Sequence, residues 1–312
     1  KAWNRTKADL VEMIKARRFT LPPEISHANQ ISQGIASIQK NYFCTEKTFD
    51  QESPIFILSA GWRSGSTLLQ RLLMSSREIV IWGEPLGCSG FIQKTAYSLS
   101  IITDQWPPKD YFAAENDLGN FANEWVANLT PAMDFFQRAH REMFYQWLGV
   151  SAKEQFGLSR WGLKEVRLTI DHAKYLKWLF PKARFIFLFR HPYQAFRSWK
   201  GNLWRDAWPG YYRNSPIAFG MHWRKLVGGF IEDYQEVGGM LVKFEDLISD
   251  NYDFGKLAHY AGLNKIDTEV VKNKIGSPVN KKKKVKKEIS LYDRLVLRAI
   301  CGSEMKSLGY LD

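Results

Sequence analysis

Short, mostly apolar runs alternate along the chain with stretches in which apolar residues recur at helical spacing. A continuous apolar run of four to eight residues is typical of a strand that is buried on both faces of a sheet. The runs cover residues 55–59, 79–81, 161–166, 184–189 and 239–244. The pattern therefore predicts five short, buried strands.

The stretches between these strands predict helices. They cover residues 2–18, 25–40, 68–73, most of 91–150, 170–180, the segment after Pro192, 252–262 and 288–306. Strands that alternate with helices indicate βαβ units and a parallel sheet. We therefore predict a single α/β domain over residues 51–312, with a central parallel β-sheet flanked by helices, and an N-terminal helical extension over residues 1–50.

Charged residues follow three of the predicted strands. Arg63 lies in the turn after the first strand, Glu84 follows the second, and Arg190 ends the strand at 184–189. Parallel α/β sheets bind their ligands beyond the carboxyl ends of the strands. We therefore expect these three side chains to converge on one ligand site.

The composition indicates which kinds of partner the chain could bind. The chain has 312 residues, of which 45% are hydrophobic and 14% aromatic, enough for a packed core. Its net charge of +12 favours a polyanion: nucleic acid, anionic lipid, an acidic glycan or a phosphorylated cosubstrate. A basic nucleic-acid-binding protein is an alternative from a different class. Because no segment resembles a helix-turn-helix, an RRM or a zinc module, we expect no nucleic-acid partner.

The sequence gives no sign of a metal site or a membrane segment. Its three cysteines form no CxxC pair, and no acidic cluster or histidine pair has metal-ligand spacing, so we expect no metal. No apolar run approaches the roughly 20 residues of a membrane helix, and no signal peptide is visible. A cytoplasmic location is favoured. A luminal, Golgi-type location stays open, since the chain starts at Lys1 and an anchor could precede it.

The turn after the first strand has the composition of an anion-binding loop. Backbone N–H groups at a helix start, with the helix dipole behind them, favour a phosphate. Ser64, Ser66 and Thr67 add hydroxyl groups, and Gly65 lets the backbone approach the anion closely. The loop lacks the lysine of the GxxxxGK[ST] motif, which argues against a P-loop kinase of small molecules. Its cation is Arg63 instead.

A second anion site is predicted around the strand at 184–189. Arg190 ends this strand, and Ser198 lies eight residues later on the following helix. An arginine at a strand end and a serine on the next helix can hold a phosphate from two directions. Two separate anion sites fit a donor that carries two separate phosphates.

These two motifs together resemble those of the sulfotransferases that use 3′-phosphoadenosine 5′-phosphosulfate (PAPS). The likeness is nearer to the carbohydrate and tyrosyl-protein enzymes than to the cytosolic aryl enzymes. It implies a P-loop-NTPase-like sulfotransferase fold, with PAPS as cosubstrate and 3′-phosphoadenosine 5′-phosphate (PAP) as product. It also implies that Arg190 and Ser198 bind the 3′-phosphate, and that Ser277 and Lys281 lie in a late loop over the donor. The implied 5′-phosphosulfate loop consists of Arg63, Ser64, Gly65, Ser66, Thr67 and Leu68.

The same resemblance implies catalytic roles. Glu84, between Gly83 and Pro85, resembles the general base of several branches, and a histidine is the alternative base. His191, next to Arg190, is expected to have a structural or donor-side role. Lys164 resembles a strand lysine that stabilises the leaving group, a role for which Arg63 is also a candidate.

The acceptor is predicted from a segment dense in aromatic and basic residues, 199–224. Aromatic faces suit sugar rings or aryl groups, and arginines suit the carboxylates or sulfates that sugars carry. We therefore expect a carbohydrate or glycoconjugate acceptor with a reactive hydroxyl or amine. Sulfation of a tyrosine or a small phenol is the alternative.

Overall fold

A five-stranded parallel sheet forms the centre of the computed structural model, which describes residues 20–42, 52–112, 123, 125–200, 215–273 and 288–311. The strand order is β2-β3-β1-β4-β5, and every neighbouring pair is parallel. This confirms the predicted α/β architecture. The strands are β1 (Ile55–Ser59), β2 (Val80–Gly83), β3 (Trp161–Glu165), β4 (Arg184–Phe189) and β5 (Met240–Lys243).

Helices connect and flank the strands. The predicted helix at 25–40 is divided into two, and the prediction for 2–18 lies outside the described residues. Within 91–150, helix occupies both ends, whereas the described residues between 102 and 132 are largely irregular. The helices are α1 (Pro23–Ser26), α2 (Asn29–Asn41), α3 (Ser66–Met74), α4 (Phe91–Tyr97), α5 (Met133–Phe144), a π-helical turn (Tyr145–Val150), α6 (Ser151–Phe156), α7 (Ile170–Leu179), α8 (Pro192–Lys200), α9 (Pro216–Asp233), α10 (Phe244–Leu247), α11 (Phe254–Ala261) and α12 (Leu291–Ser307).

Both faces of the sheet are covered. Successive strand residues point to opposite faces, so Ile55 and Ile57 pack towards α3 and α11, whereas Phe56 and Leu58 pack on the other face. That second face is covered by α2, α7 and α9. Burial on both faces explains why the strands are nearly continuous apolar runs in the sequence.

The described part of the predicted N-terminal extension packs on the core. Ile31, Ile35 and Ile38 on α2 are buried in the same cluster as the sheet. In addition, the Ser32 hydroxyl donates to Asp171 Oδ1 on α7 at 2.8 Å. The domain boundary at residue 50 stays a prediction.

The sheet has a switch point between β1 and β4. The connection after β1 leads to β2 on one side of the sheet, whereas the connection after β4 leads to β5 on the other side. Loops that diverge in this way leave a crevice at the carboxyl ends of the two strands, where α/β proteins bind ligands. The predicted anion-binding residues follow these two strands.

Within the described residues, none of the helices is long and apolar enough to cross a membrane.

Candidate active site

The loop between β1 and α3 has the backbone of an anion-binding turn. Gly61, Arg63 and Gly65 have φ angles of 77°, 67° and 95°, in the left-handed region that non-glycine residues rarely adopt. A Cβ atom at position 65 would overlap the ring of Phe244, so glycine is required there for space as well as for conformation. The loop delivers the amino end of the nine-residue helix α3, which carries unsatisfied N–H groups.

The predicted loop side chains have different positions. The buried Ser64 hydroxyl donates to Gly61 O at 2.9 Å, so it stabilises the turn itself. Ser66 is buried at the first position of α3, whereas Thr67 is exposed. Leu68 is partly buried against the cluster between α3 and the sheet. Of these four residues, Thr67 therefore has the most accessible side chain.

Arg63, Arg190 and Ser198 are brought together as one polar cluster. Arg63 Nε donates to Ser198 Oγ at 2.9 Å, and Arg190 Nη1 donates to Arg63 O at 3.1 Å. Burial lowers the pKa of Arg190; Glu245 raises this pKa and Arg63 lowers it. The Ser198 hydroxyl contacts one guanidinium, and the second guanidinium contacts the backbone of the first, so the cluster is a basic site.

Residues that follow β5 pack against this cluster. The Arg190 guanidinium lies 4.3 Å from the centroid of the Phe244 ring, the ring that also abuts Gly65. Glu245 accepts hydrogen bonds from the His191 backbone N–H at 3.1 Å and from the Tyr310 hydroxyl at 2.7 Å. Sequence reasoning placed Phe244 only in the strand predicted at 239–244 and missed Tyr310, because their contacts with this cluster arise from tertiary packing.

His191 takes part in this supporting layer. Its ring lies 4.7 Å from that of Tyr310, and its Nδ1 accepts a hydrogen bond from the Tyr193 N–H at 3.2 Å. Burial lowers the pKa of His191, Glu245 raises it, and Lys243 and Arg190 lower it. His191 therefore packs against the residues that contact Arg190 and Glu245, and its expected structural or donor-side role stays a prediction.

Glu84 and Lys164 form a second cluster at the ends of β2 and β3. The Glu84 N–H donates to Lys164 O at 2.7 Å, and Lys164 Nζ contacts Glu84 Oε1. Glu84 has a φ of 47°, another left-handed non-glycine residue. Its side chain is 23% exposed, whereas that of Lys164 is 6% exposed. The predicted base is thus a direct partner of the predicted leaving-group cation.

Arg167 is a member of this cluster that sequence reasoning missed. Its Nη2 lies 3.2 Å from Glu84 Oε2, and its side chain also pairs with the buried Glu165. Burial raises the pKa of Glu165, an effect that Arg167 opposes and Glu84 reinforces. The sequence did offer a signal, since Lys164, Glu165 and Arg167 stand at the end of a predicted buried strand. Isolated charges would be costly there, so pairing between them could have been predicted.

Trp62 lies between the two clusters. The centroid of its ring lies 5.7 Å from Arg167 Cζ. The ring also stacks on that of Trp199, with 5.0 Å between the two centroids. Trp62 precedes Arg63, and Trp199 follows Ser198. Trp62 therefore contacts Arg167 of one cluster and the neighbour of Ser198 in the other.

The aromatic rings of Trp199, Phe219 and Trp223, in the described part of the predicted acceptor segment, pack in the core. Trp199 and Trp223 are 4% and 1% exposed, and Trp223 Nε1 donates to Arg190 O at 3.1 Å. Arg224 pairs with Glu304 on α12 at 3.2 Å. Residues 201–214 lie outside the described residues, as do Ser277 and Lys281.

One histidine, His222, packs beside Trp62. The histidine nearest to Trp62 is His222, at 5.8 Å between centroids; burial lowers its pKa to about 3, with Arg167 contributing. At 1% exposure, His222 is a neutral imidazole that an acceptor in solution cannot reach. Among the described residues, no three His, Cys, Asp or Glu side chains are grouped so that they could hold a metal ion.

Comparison with known proteins gives a family for these residues. Residues 54–264 match a family described as the sulfotransferase family. A search of curated proteins finds no match. Similar solved structures include the sulfotransferase domain from the curacin biosynthetic pathway, at 16% identity and a TM-score of 0.46, which covers 84% of this chain and 99% of that one. The sulfotransferase domain of the Synechococcus PCC 7002 olefin synthase is 17% identical with a TM-score of 0.38, and the alignment covers 83% and 98% of the two chains. Sulfotransferase STF9 from Mycobacterium avium is 15% identical with a TM-score of 0.40, with coverage of 90% and 84%.

Proposed function

Because the chain belongs to the sulfotransferase family, we propose that it transfers a sulfuryl group from PAPS to a hydroxyl or amine of an acceptor. The observation that carries the proposal is the pairing of two clusters at one edge of the sheet. One is a basic site of Arg63, Arg190 and Ser198 beside a helix amino end, and the other is a carboxylate–ammonium pair of Glu84 and Lys164.

The basic site suits a donor with two separate phosphates. The amino end of α3 offers N–H groups to the 5′-phosphosulfate, and Arg190 with Ser198 offers charged and neutral donors to the 3′-phosphate. Arg63 lies between these two places, so it can contribute to either. A nucleotide without a 3′-phosphate would leave the two arginines without their anionic partner.

The chemistry assigned to the second cluster is an in-line transfer. The acceptor oxygen forms a bond to sulfur while the bond from sulfur to the bridging phosphate oxygen breaks, and Glu84 takes the acceptor proton. The positive charges of Lys164 and Arg63 stabilise the departing phosphate oxygen. Lys164 Nζ contacts Glu84, so the negative charge of a bound donor is expected to draw this ammonium away from the carboxylate.

The proposed acceptor is a carbohydrate or glycoconjugate, with a phenolic acceptor as the alternative. The support is the resemblance of residues 63–69 and 190–198 to the motifs of carbohydrate-type and tyrosyl-type enzymes. Both acceptor classes present a hydroxyl group, so one base could serve either.

Transfer of a radiolabelled sulfuryl group from PAPS tests this proposal. The purified chain is incubated with labelled PAPS and a panel of glycans and phenols, and labelled products are separated. We expect labelled glycans and a rate that falls roughly 10²–10⁴-fold in Glu84→Gln, because the general base is lost. Labelled phenols alone would replace the carbohydrate acceptor, and full activity of Glu84→Gln would reject Glu84 as the base.

A further inference from the structure

Arg167 is a fully buried cation for which the chemistry above has no role. Its side chain is 2% exposed, and each of its three nitrogens donates a hydrogen bond. A buried guanidinium is stabilising only when good geometry compensates for the loss of water. The groups that it contacts therefore indicate what it holds in place.

Arg167 holds the loop of Glu84 at two points. Its Nη2 donates to Glu84 Oε2 at 3.2 Å, and its Nη1 donates to the carbonyl oxygen of Gly87. In this loop Glu84 and Leu86 have φ angles of 47° and 53°, a left-handed conformation that is unfavourable for a non-glycine residue. Such backbone persists where its surroundings impose it, and Arg167 is one of the groups that do so.

Arg167 is itself fixed. Its Nε and Nη2 donate to the two carboxylate oxygens of Glu165 at 2.7 and 3.0 Å. Glu165 Oε1 also accepts the Val166 N–H at 2.7 Å, which ties the pair to the strand end. A Cβ atom on Gly87 would overlap the guanidinium, so the loop closes directly on it. The position of Glu84 Oε2 is therefore set by a rigid, bidentate pair.

We propose that Arg167 is a positioning residue for Glu84. It binds Oε2 and so directs Oε1, the oxygen that Lys164 contacts, towards the acceptor proton. The inference rests on the proposed function, because it assumes that Glu84 is the base. It adds that the base depends on Arg167, and through it on Glu165, for its orientation.

A double-mutant cycle on PAPS hydrolysis tests the inference. Release of sulfate to water can be measured without an identified acceptor. PAP affinity, measured by calorimetry, is a second readout that shows whether each variant is folded and still binds the donor nucleotide. Glu84→Gln and Arg167→Met should each slow sulfate release roughly a hundredfold, and the double variant should be no slower than Glu84→Gln. The Kd for PAP should stay within about twofold in all three variants, since none of these side chains lies in the basic site.

Two further variants provide control and rescue. Arg160→Met is the control, because it makes the same substitution at an arginine that lies just before β3. Arg160 donates to the carbonyls of Ala261 and Gly262 and does not contact Glu84, so this variant should keep the wild-type rate. Arg167→Lys keeps the cation but loses the bidentate geometry, so its rate should lie between those of wild type and Arg167→Met. If Arg167→Met fails to bind PAP, the rate of Arg167→Lys tests the positioning role in its place.

The outcomes separate this inference from the proposed function. If Glu84→Gln slows the reaction but Arg167→Met and Arg167→Lys do not, the positioning role is wrong and the base assignment stands. If the two effects multiply in the double variant, Arg167 acts independently of Glu84 and the inference is overturned. A wild-type rate in Glu84→Gln would instead reject the base, and the positioning role with it.

Discussion

Charges of opposite sign alternate at the ends of β2 and β3. Glu84 contacts Lys164 and Arg167, and Arg167 contacts Glu165, so the two carboxylates and two cations compensate one another. Burial of a lone ion is costly, and breaking a buried pair by removing one partner costs about 3–5 kcal/mol. Each of these residues is thus constrained by stability as well as by the chemistry that we assign to Glu84 and Lys164.

Gly65 allows a prediction at the same scale. Gly65→Ala should weaken PAP binding at least about tenfold, because a Cβ there displaces Phe244 from beneath Arg190. Gly157→Ala is the matched control, since Gly157 also has a positive φ, of 69°, but has open space around its Cα. It should cost about 1–2 kcal/mol in a denaturant titration and leave the Kd for PAP unchanged. Equal PAP affinities for the two variants would contradict the packing argument.

Individual elements differ in how well the sequence predicts them. The five strands and α7 followed from local apolar patterns, because burial on both faces leaves a strong signal. Helix α8 followed from Pro192 in its first turn, whereas α9 was not predicted. The placement of Arg63, Arg190 and Glu84 beyond the carboxyl ends of the strands followed from the rule for parallel sheets, but Glu84 lies in a separate cluster from the two arginines. The roles of Arg167 and Tyr310 did not, because each depends on contacts between distant segments. Helix occupies both ends of the range 91–150, as predicted, whereas the described residues between 102 and 132 are largely irregular.

The amino end of α7 predicts a dependence of stability on pH. His172 Nδ1 accepts the Thr169 N–H at 3.1 Å, and burial, with a contribution from Lys225, lowers the pKa of His172 to about 3. The folded chain therefore keeps this imidazole neutral while the unfolded chain binds a proton below about pH 6.5. The stabilisation is present above that pH and is lost as the pH falls towards 3.

Urea denaturation at pH 7 and pH 5 measures this effect. Wild type should lose about 2 kcal/mol more than His172→Asn between the two values, at roughly 1.4 kcal/mol per pH unit. Asparagine does not titrate and can still accept the hydrogen bond. The exposed His259→Asn serves as the control and should retain the wild-type loss. An identical loss in wild type and His172→Asn would show that His172 is protonated in the folded chain.

At the scale of the whole molecule, the basic site depends on segments from most of the chain. Arg63 follows β1, Ser198 lies on α8, Phe244 follows β5, and Tyr310 anchors the end of the described chain to Glu245. An ion pair connects the end of α8 to α12, since Lys200 Nζ lies 2.7 Å from Asp293 Oδ2. Donor affinity is therefore expected to report on the integrity of the entire fold.

Calorimetric titration with PAP, ADP and AMP tests the central claim most directly, that Arg190 and its neighbours hold a 3′-phosphate. We expect the chain to prefer PAP, and Arg190→Ala to lose roughly a hundredfold in PAP affinity while its weak binding of AMP hardly changes. Arg197→Ala is the matched control: Arg197 lies on the same helix, α8, and pairs with Glu288 at 2.8 Å. This variant should bind PAP as wild type does. Equal binding of all three nucleotides, or binding of none, would contradict the assignment of a PAPS-dependent sulfotransferase.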